Sequence, residues 1–197
     1  MRALLLFTCM LLALGGIGCQ PSPTSLGEFP DVKEHFTPNQ IADLEKIIEF
    51  FKVNGCQGAF TKQSLEDYTY QQFDKWEYSE QQLLYQELTS GVSGYFWLLG
   101  WQRLAGDSLA YQFYTPDGPY KDFIASLAKE KEELKPYVQN LIAFGDLDSQ
   151  IHQMYFPALL DWDFSDPRIQ LVIALHELSA EDQRSRKESL SENKSSD

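Results

Sequence analysis

Apolar residues recur at helical spacing along most of the chain after residue 36. The clearest run begins at Thr37, a preferred N-cap residue, with Pro38 at the first helical position and Gln40 placed to complete a capping box. The apolar positions that follow are three and four residues apart, and the run stops at Gly55. This pattern predicts an amphipathic helix whose apolar face is part of the core. A groove for a partner is the alternative use of that face.

Further helices are predicted from the same spacing, joined by short turns. They begin near residues 61–64, 79, 120, 136, 148 and 167, the last with Asp166 as N-cap. Residues 95–101 have almost no polar position, which predicts a buried central helix. Residues 109–114 fit a short helix or a strand, and we favour the helix. The sequence therefore predicts an all-α fold, a single irregular bundle of six to eight helices.

The first eighteen residues have the pattern of a secretory signal. Arg2 supplies a positive charge, residues 3–14 are mainly apolar, and small residues precede Cys19. The apolar run is too short to anchor the mature chain by spanning a membrane.

The Gly18-Cys19 junction resembles a bacterial lipobox. The resemblance implies that the Cys19 thiol receives a diacylglycerol and becomes the first residue of the mature chain, with fatty acids such as palmitate as its membrane anchor. Gly16 stands where an aliphatic residue is usual, and Ile17 is bulkier than the common alanine or serine. The alternative is an ordinary signal-peptidase cut after Gly15.

Composition divides the chain into four predicted regions. Residues 1–18 are the lipoprotein signal peptide, and residues 19–36, with proline, serine and no helical period, form a flexible lipidated tether. Residues 37–178 form the globular helical domain. Residues 179–197 are a polar tail, predicted to be disordered or a fraying extension of the last helix.

The charge of the chain restricts its partners. Its formal net charge is −13, and loss of Arg2 with the signal makes it −14. Such a surface argues against nucleic acid and against electrostatic docking on anionic lipids. The predicted membrane partner is therefore reached only through the lipid on Cys19. Gln20 lacks the aspartate that retains enterobacterial lipoproteins in the inner membrane, so the resemblance implies the cell envelope, and the outer membrane in a Gram-negative cell.

Most motifs that carry chemistry lack a required residue. His176-Glu177 begins like a zinc-protease helix, but Ala180 stands where the second histidine is needed. We therefore predict no metal and no cofactor.

After signal removal only Cys19 and Cys56 remain, and acylation of Cys19 leaves Cys56 without an intramolecular disulfide partner.

One short segment offers candidate binding residues, namely Asp161, Trp162 and Asp163. Clustered carboxylates beside an aromatic ring can raise one carboxyl pKa for acid–base chemistry, or hold a sugar with the ring. The alternative is that Asp166 caps the next helix while its acidic neighbours are solvated.

The functional prediction is an envelope lipoprotein whose domain is a noncatalytic binding or interaction module. A protein or a glycan is its expected ligand, and an acidic inhibitor-like protein with a basic partner is one form of it. The alternative is a hydrolase that uses the Asp161/Asp163 loop or Cys56, with a base such as His35, His152 or His176.

Overall fold

The computed structural model describes residues 24–70, 76–88, 100–103, 109–112, 118–144 and 162–194. The fold is an all-α bundle, as predicted, with seven α-helices in these residues. The helices are α1 Pro30–His35, α2 Pro38–Asn54, α3 Lys62–Tyr70, α4 Tyr78–Glu87, α5 Pro119–Glu130, α6 Lys135–Phe144 and α7 Pro167–Lys194. Leu26–Glu28 and Glu132–Leu134 form 3-10 turns.

Helix α2 begins and ends as its sequence predicts. The Thr37 backbone N–H donates to Gln40 Oε1 at 2.8 Å, and the Gln40 N–H donates to Thr37 Oγ1 at 3.4 Å. Gly55 is the C-cap, where a Cβ atom would lie 2.7 Å from Cε2 of Phe51. Only glycine therefore lets the chain leave the helix so close to that ring.

The centre of the core is the contact between α2 and α7. Phe51 of α2 is fully buried and packs edge-on against Tyr68 and Trp76, with ring centroids 5.2 and 5.9 Å apart. Helix α7 is buried on every side through Leu178, as expected of the longest apolar segment in a bundle. The interpretation of the α2 apolar face as core is therefore confirmed.

The predicted tether is wrong over residues 25–36. Leu26 and Val32 are fully buried, and the Phe36 ring packs edge-on against Phe123 of α5 at 5.5 Å. These apolar residues lie six and four positions apart, and this uneven spacing did not predict that they belong to the core. Their burial depends on contacts with α2 and α5, which sequence spacing does not show.

Helix α7 continues to Lys194, so the residues from 179 extend the last helix, as one of the two predicted alternatives had it, and the disordered alternative is wrong for residues 179–194. The predicted end of the globular domain at residue 178 is too early. Ser179 and Glu181 are buried although they are polar. The Ser179 hydroxyl donates to the Leu175 carbonyl one turn earlier, which satisfies it inside the bundle.

A small antiparallel ladder accompanies the helices, formed by β1 Gly100–Arg103 and β2 Leu109–Gln112. Trp101 lies opposite Tyr111 in this register. The predicted central helix is therefore wrong at residues 100–101, and the helical interpretation of residues 109–114 is wrong at 109–112. Aromatic residues such as Trp101 and Tyr111 favour strands. The helix predicted from residue 148 lies outside the described residues.

Candidate functional site

The structure gives no support to Trp162 as a sugar platform. Its side chain is 4% exposed, and its ring packs edge-on against Tyr137 of α6 at 5.7 Å. A sugar needs an open ring face for stacking, and Trp162 offers none. Asp161 and Cys19, the residue predicted to be lipidated, lie outside the described residues.

Asp163 and Asp166 shape the start of α7. Asp163 Oδ1 accepts hydrogen bonds from the Ser165 backbone N–H at 3.1 Å and from the Ser165 hydroxyl at 2.6 Å. Asp166 Oδ1 accepts from the Arg168 N–H at 2.9 Å, which makes Asp166 the N-cap, as predicted. Both carboxylates are thus explained by the turn and the cap.

Cys56 is a poor nucleophile in this fold. Its side chain is buried behind the turn that follows α2, and burial raises the pKa of the thiol to about 12 despite a hydrogen bond with Ser64. The thiol therefore stays protonated at neutral pH, whereas attack on a substrate requires the thiolate.

His176 and Glu177 are buried in the middle of α7, although a surface position was expected for the histidine. His176 Nδ1 lies 3.2 Å from the Tyr137 hydroxyl, with which it shares a hydrogen bond. Burial and the charge of Glu177 raise the pKa of Tyr137, so its hydroxyl keeps the proton. The pair joins α6 to α7 inside the core.

A group of charged residues around Arg168 was not foreseen from the sequence. We define the Arg168 cluster by its guanidinium and the residues around it: Phe29, Asp31, Glu130, Lys131 and Asp166. The guanidinium donates two bonds of 2.8 Å to Glu130, bonds of 2.8 and 3.1 Å to Asp166, and one of 3.0 Å to Asp31. These contacts join α1, α5 and α7.

The Arg168 cluster is complete within the chain. All five N–H donors of a guanidinium are used, and the Phe29 ring lies 4.2 Å from Arg168 Cζ. Hydrogen bonds from Arg168 lower the pKa of Glu130. Burial raises the pKa of Asp166, but bonds from Arg168 and Lys131 outweigh it and the net shift is downward. The guanidinium has no donor left for a ligand, so it acts as a structural clamp.

The charged run at residues 129–133 is typical of a solvated helix face, but two of its side chains are part of this cluster. Lys131 Nζ lies 3.1 Å from Asp166 Oδ2, and Glu130 holds Arg168 in a bidentate pair. The one signal in the sequence was an arginine two positions after the predicted Asp166 cap. Its other partners are 38 and 137 residues away in the chain.

An open groove lies between α2 and α4. We define the α2–α4 groove by its lining residues, which follow each helix at spacings of three and four and continue into Asn54: Lys46, Glu49, Phe50, Val53, Asn54, Glu80, Leu83, Leu84 and Glu87. Its volume is about 510 Å³. Each helix thus presents about two turns of one face to the groove.

Hydrogen bonds fix α4 beside the core and so form this groove. The buried Gln81 amide donates to the Leu178 carbonyl of α7 at 2.8 Å and accepts from Trp76 Nε1 at 2.9 Å. At the other end, Lys46 Nζ donates to the Glu87 carbonyl at 2.8 Å. These bonds to α7 and to α2 therefore hold α4 in position and fix the shape of the groove.

The groove combines exposed apolar side chains with carboxylates. Val53 is 54% exposed and Leu83 is 59% exposed, so Leu83 is not the core residue that its helical spacing predicts. Glu49 pairs with Lys52 at 2.9 Å. The carboxylates of Glu80 and Glu87 pair with no cationic side chain in the part of the chain that the structure describes, and the Glu80 carboxylate accepts the Glu77 backbone N–H at the start of α4. This surface is the strongest candidate for binding.

Comparisons with known proteins give no relative: no protein-family model, curated protein or solved structure matches this chain. None of the described helices is both long and apolar enough to cross a bilayer. Within the same residues, no group of three or more His, Cys, Asp or Glu side chains is placed to hold a metal ion. Function is therefore argued from the geometry of the chain itself.

Proposed function

We propose that this protein is a lipid-anchored protein of the bacterial envelope whose helical domain is a noncatalytic binding module. The observation that carries the binding role is the α2–α4 groove, where two large apolar side chains are exposed between firmly positioned helices. Exposed apolar surface with a polar rim is typical of interaction sites.

The corrected N-terminal boundary changes how the anchor would hold the domain. Residues 19–24 are all that separate Cys19 from the folded part, and six residues span at most about 20 Å. In this proposal the domain stays close to the headgroups. Its negative charge opposes adsorption on anionic lipid, so the acyl chains supply the attachment. An outer-membrane position follows in a Gram-negative cell, because Gln20 lacks the inner-membrane retention signal.

The geometry supports binding over the hydrolase alternative. Cys56 is protonated at neutral pH, and Trp162 is buried. Asp163 already accepts two hydrogen bonds within its turn. These candidates are used for folding, whereas the groove side chains remain open to a ligand.

The anchor is tested by expressing the full chain in a Gram-negative bacterium. We expect the wild type to fractionate with membranes and its mature N-terminal peptide to carry a diacylglyceryl mass on Cys19. Cys19→Ala should release the protein into the soluble fraction. Cys56→Ala is the matched control and should keep the lipid. A wild-type chain that begins at Gly16 and carries no lipid would show an ordinary signal-peptidase cut and refute the anchor.

The binding role is tested separately in the native membrane. Crosslinked complexes of the wild type are compared with those of Leu83→Glu, which places a charge in the groove. Ile142→Glu is the control, because Ile142 is also exposed but lies on α6 outside the groove. A complex that survives Leu83→Glu would place binding elsewhere.

A further inference from the structure

We infer that the α2–α4 groove binds a cationic amphipathic helix, which lays its apolar face on Val53 and Leu83 and its basic side chains on the flanking glutamates. This inference rests on the proposed binding role and is independent of the lipid anchor.

The shape of the groove matches a helical ligand. The lining positions on α2 are 46, 49, 50 and 53, and those on α4 are 80, 83, 84 and 87. Lys46 contacts the end of α4, so the two helices run antiparallel and their stripes face one channel. Eight residues of helix are about 12 Å long, enough to contact about two turns of a third helix. Apolar anchors spaced three or four apart on that helix would lie along the channel.

The size and exposure of the groove also suit anchor side chains. Its volume of about 510 Å³ falls within the range of about 300–1,000 Å³ that is usual for ligand sites. Phe50 is half-buried and Leu84 is buried at its base, while Val53 and Leu83 stand open above them. Covering these two side chains removes apolar surface from water, which favours association.

The charges of the groove select a basic ligand. The carboxylates of Glu80 and Glu87 form no ion pair within the described residues, so a ligand would meet unneutralised carboxylates at both ends of α4. Lys46 is not free to neutralise these carboxylates, because its ammonium donates to the Glu87 carbonyl and lies 4.0 Å from the buried Asp43 carboxylate. Lysine or arginine side chains on the ligand would complete these contacts and speed the encounter.

The same charges argue against a second copy of this chain as the occupant. A two-fold dimer through the groove would bring each acidic rim against its own copy. Like charges facing each other oppose such an interface. An anionic lipid surface is opposed for the same reason.

The test uses the full mature chain with Cys19→Ala, which keeps it free of lipid, and a labelled helical peptide of about four turns. The peptide carries leucines three and four positions apart and lysines beside them. We expect fluorescence anisotropy to show saturable binding that weakens at least about tenfold between about 0.05 M and 0.5 M salt. A peptide with the same leucines but glutamates in place of the lysines should not bind.

Groove variants locate the site. Leu83→Glu should weaken binding more than about tenfold, because it puts a carboxylate where an apolar anchor docks. Glu87→Lys should weaken it about fivefold at low salt and little at high salt. Glu34→Lys is the matched control, since Glu34 is an exposed glutamate of α1 outside the groove, and it should change affinity less than about twofold. Circular dichroism of each variant checks that the bundle is folded.

Equal binding of the basic peptide to wild type and to folded Leu83→Glu would overturn the inference. Equal binding of the acidic and the basic peptide to wild type would overturn it as well. Concentration-dependent dimers of the wild type that Leu83→Glu abolishes would make a second copy the occupant and also overturn it. If the peptide fails but the crosslinked native complex depends on Leu83, the binding module stands and only the cationic partner is wrong.

Discussion

The Arg168 cluster and the α2–α4 groove use similar residues and reach opposite outcomes. In the cluster, Asp31, Glu130 and Asp166 all contact the guanidinium of Arg168, which is itself 5% exposed. In the groove, Glu80 and Glu87 are exposed, and their carboxylates pair with no cation among the described residues. The cluster is completed by the chain, and the groove is left open to a partner.

The difference follows from the cost of desolvation. A buried ion without a counterion is destabilising by several kcal/mol, so the buried cluster has to be paired for the protein to fold. An exposed carboxylate keeps its water and needs no pairing for folding. The Glu87 carboxylate is therefore free to serve binding, and Glu80, which also accepts the Glu77 N–H in the cap of α4, still carries an unneutralised charge. The carboxylates of the cluster are committed to stability.

The largest effect should come from removing the centre of the cluster. Arg168→Met leaves Asp166 and Asp31 without the guanidinium, and we expect a loss of about 3 kcal/mol in the free energy of unfolding. Urea unfolding followed by circular dichroism measures it. Glu130→Gln is the comparison and should lose less than about 1 kcal/mol, because Glu130 is largely exposed. An Arg168→Met protein as stable as wild type would show that the cluster is not a clamp.

The second-largest effect on stability is expected at one of two adjacent leucines on α4. Leu84 is 7% exposed at the base of the groove and Leu83 points outward. Leu84→Ala should lower the free energy of unfolding by about 2–3 kcal/mol by leaving a cavity. Leu83→Ala should change it by less than about 0.5 kcal/mol and act only on peptide affinity. A similar loss of stability in both variants would mean that Leu83 belongs to the core and would remove the groove as a free surface.

A smaller effect should appear in acid. The pKa values of Asp166 and Glu130 are lowered in the fold, so their ionised forms stabilise it above the unfolded-state pKa values of about 4. That stability should be lost as the pH falls below about 4 and through the folded pKa values. The urea midpoint, followed from neutral to acid pH, should therefore fall more steeply for wild type than for Arg168→Met. Parallel curves would contradict the contribution of the cluster, and Glu87→Gln should follow wild type.

Features that depend on neighbours in the sequence could be predicted. Thr37 and Gln40 lie three residues apart and form the capping box, Gly55 ends α2, and Asp166 caps α7. The all-α class follows from the same short-range spacing. These bonds join residues within one helical turn of each other, so the local sequence is enough to predict them.

Features that depend on distant contacts could not be predicted. The docking of residues 25–36 rests on Leu26 and Val32 reaching other helices, and the antiparallel ladder pairs Trp101 with Tyr111 ten residues later in the chain. For the site, the acidic charge could be read from the sequence, but the groove could not. The candidate residue Trp162 is instead part of the core, because its ring meets Tyr137 of a different helix.

The sequence by itself determined an acidic helical chain, where α2 and α7 begin, and the lipobox-like junction at Cys19. Only the tertiary structure decided that Leu84 is buried while Leu83 is open, and that Arg168 meets Asp31 across 137 residues. The physical reason is that periodicity defines the apolar stripe of a helix, but only its packing against other helices decides which edge of that stripe remains in water.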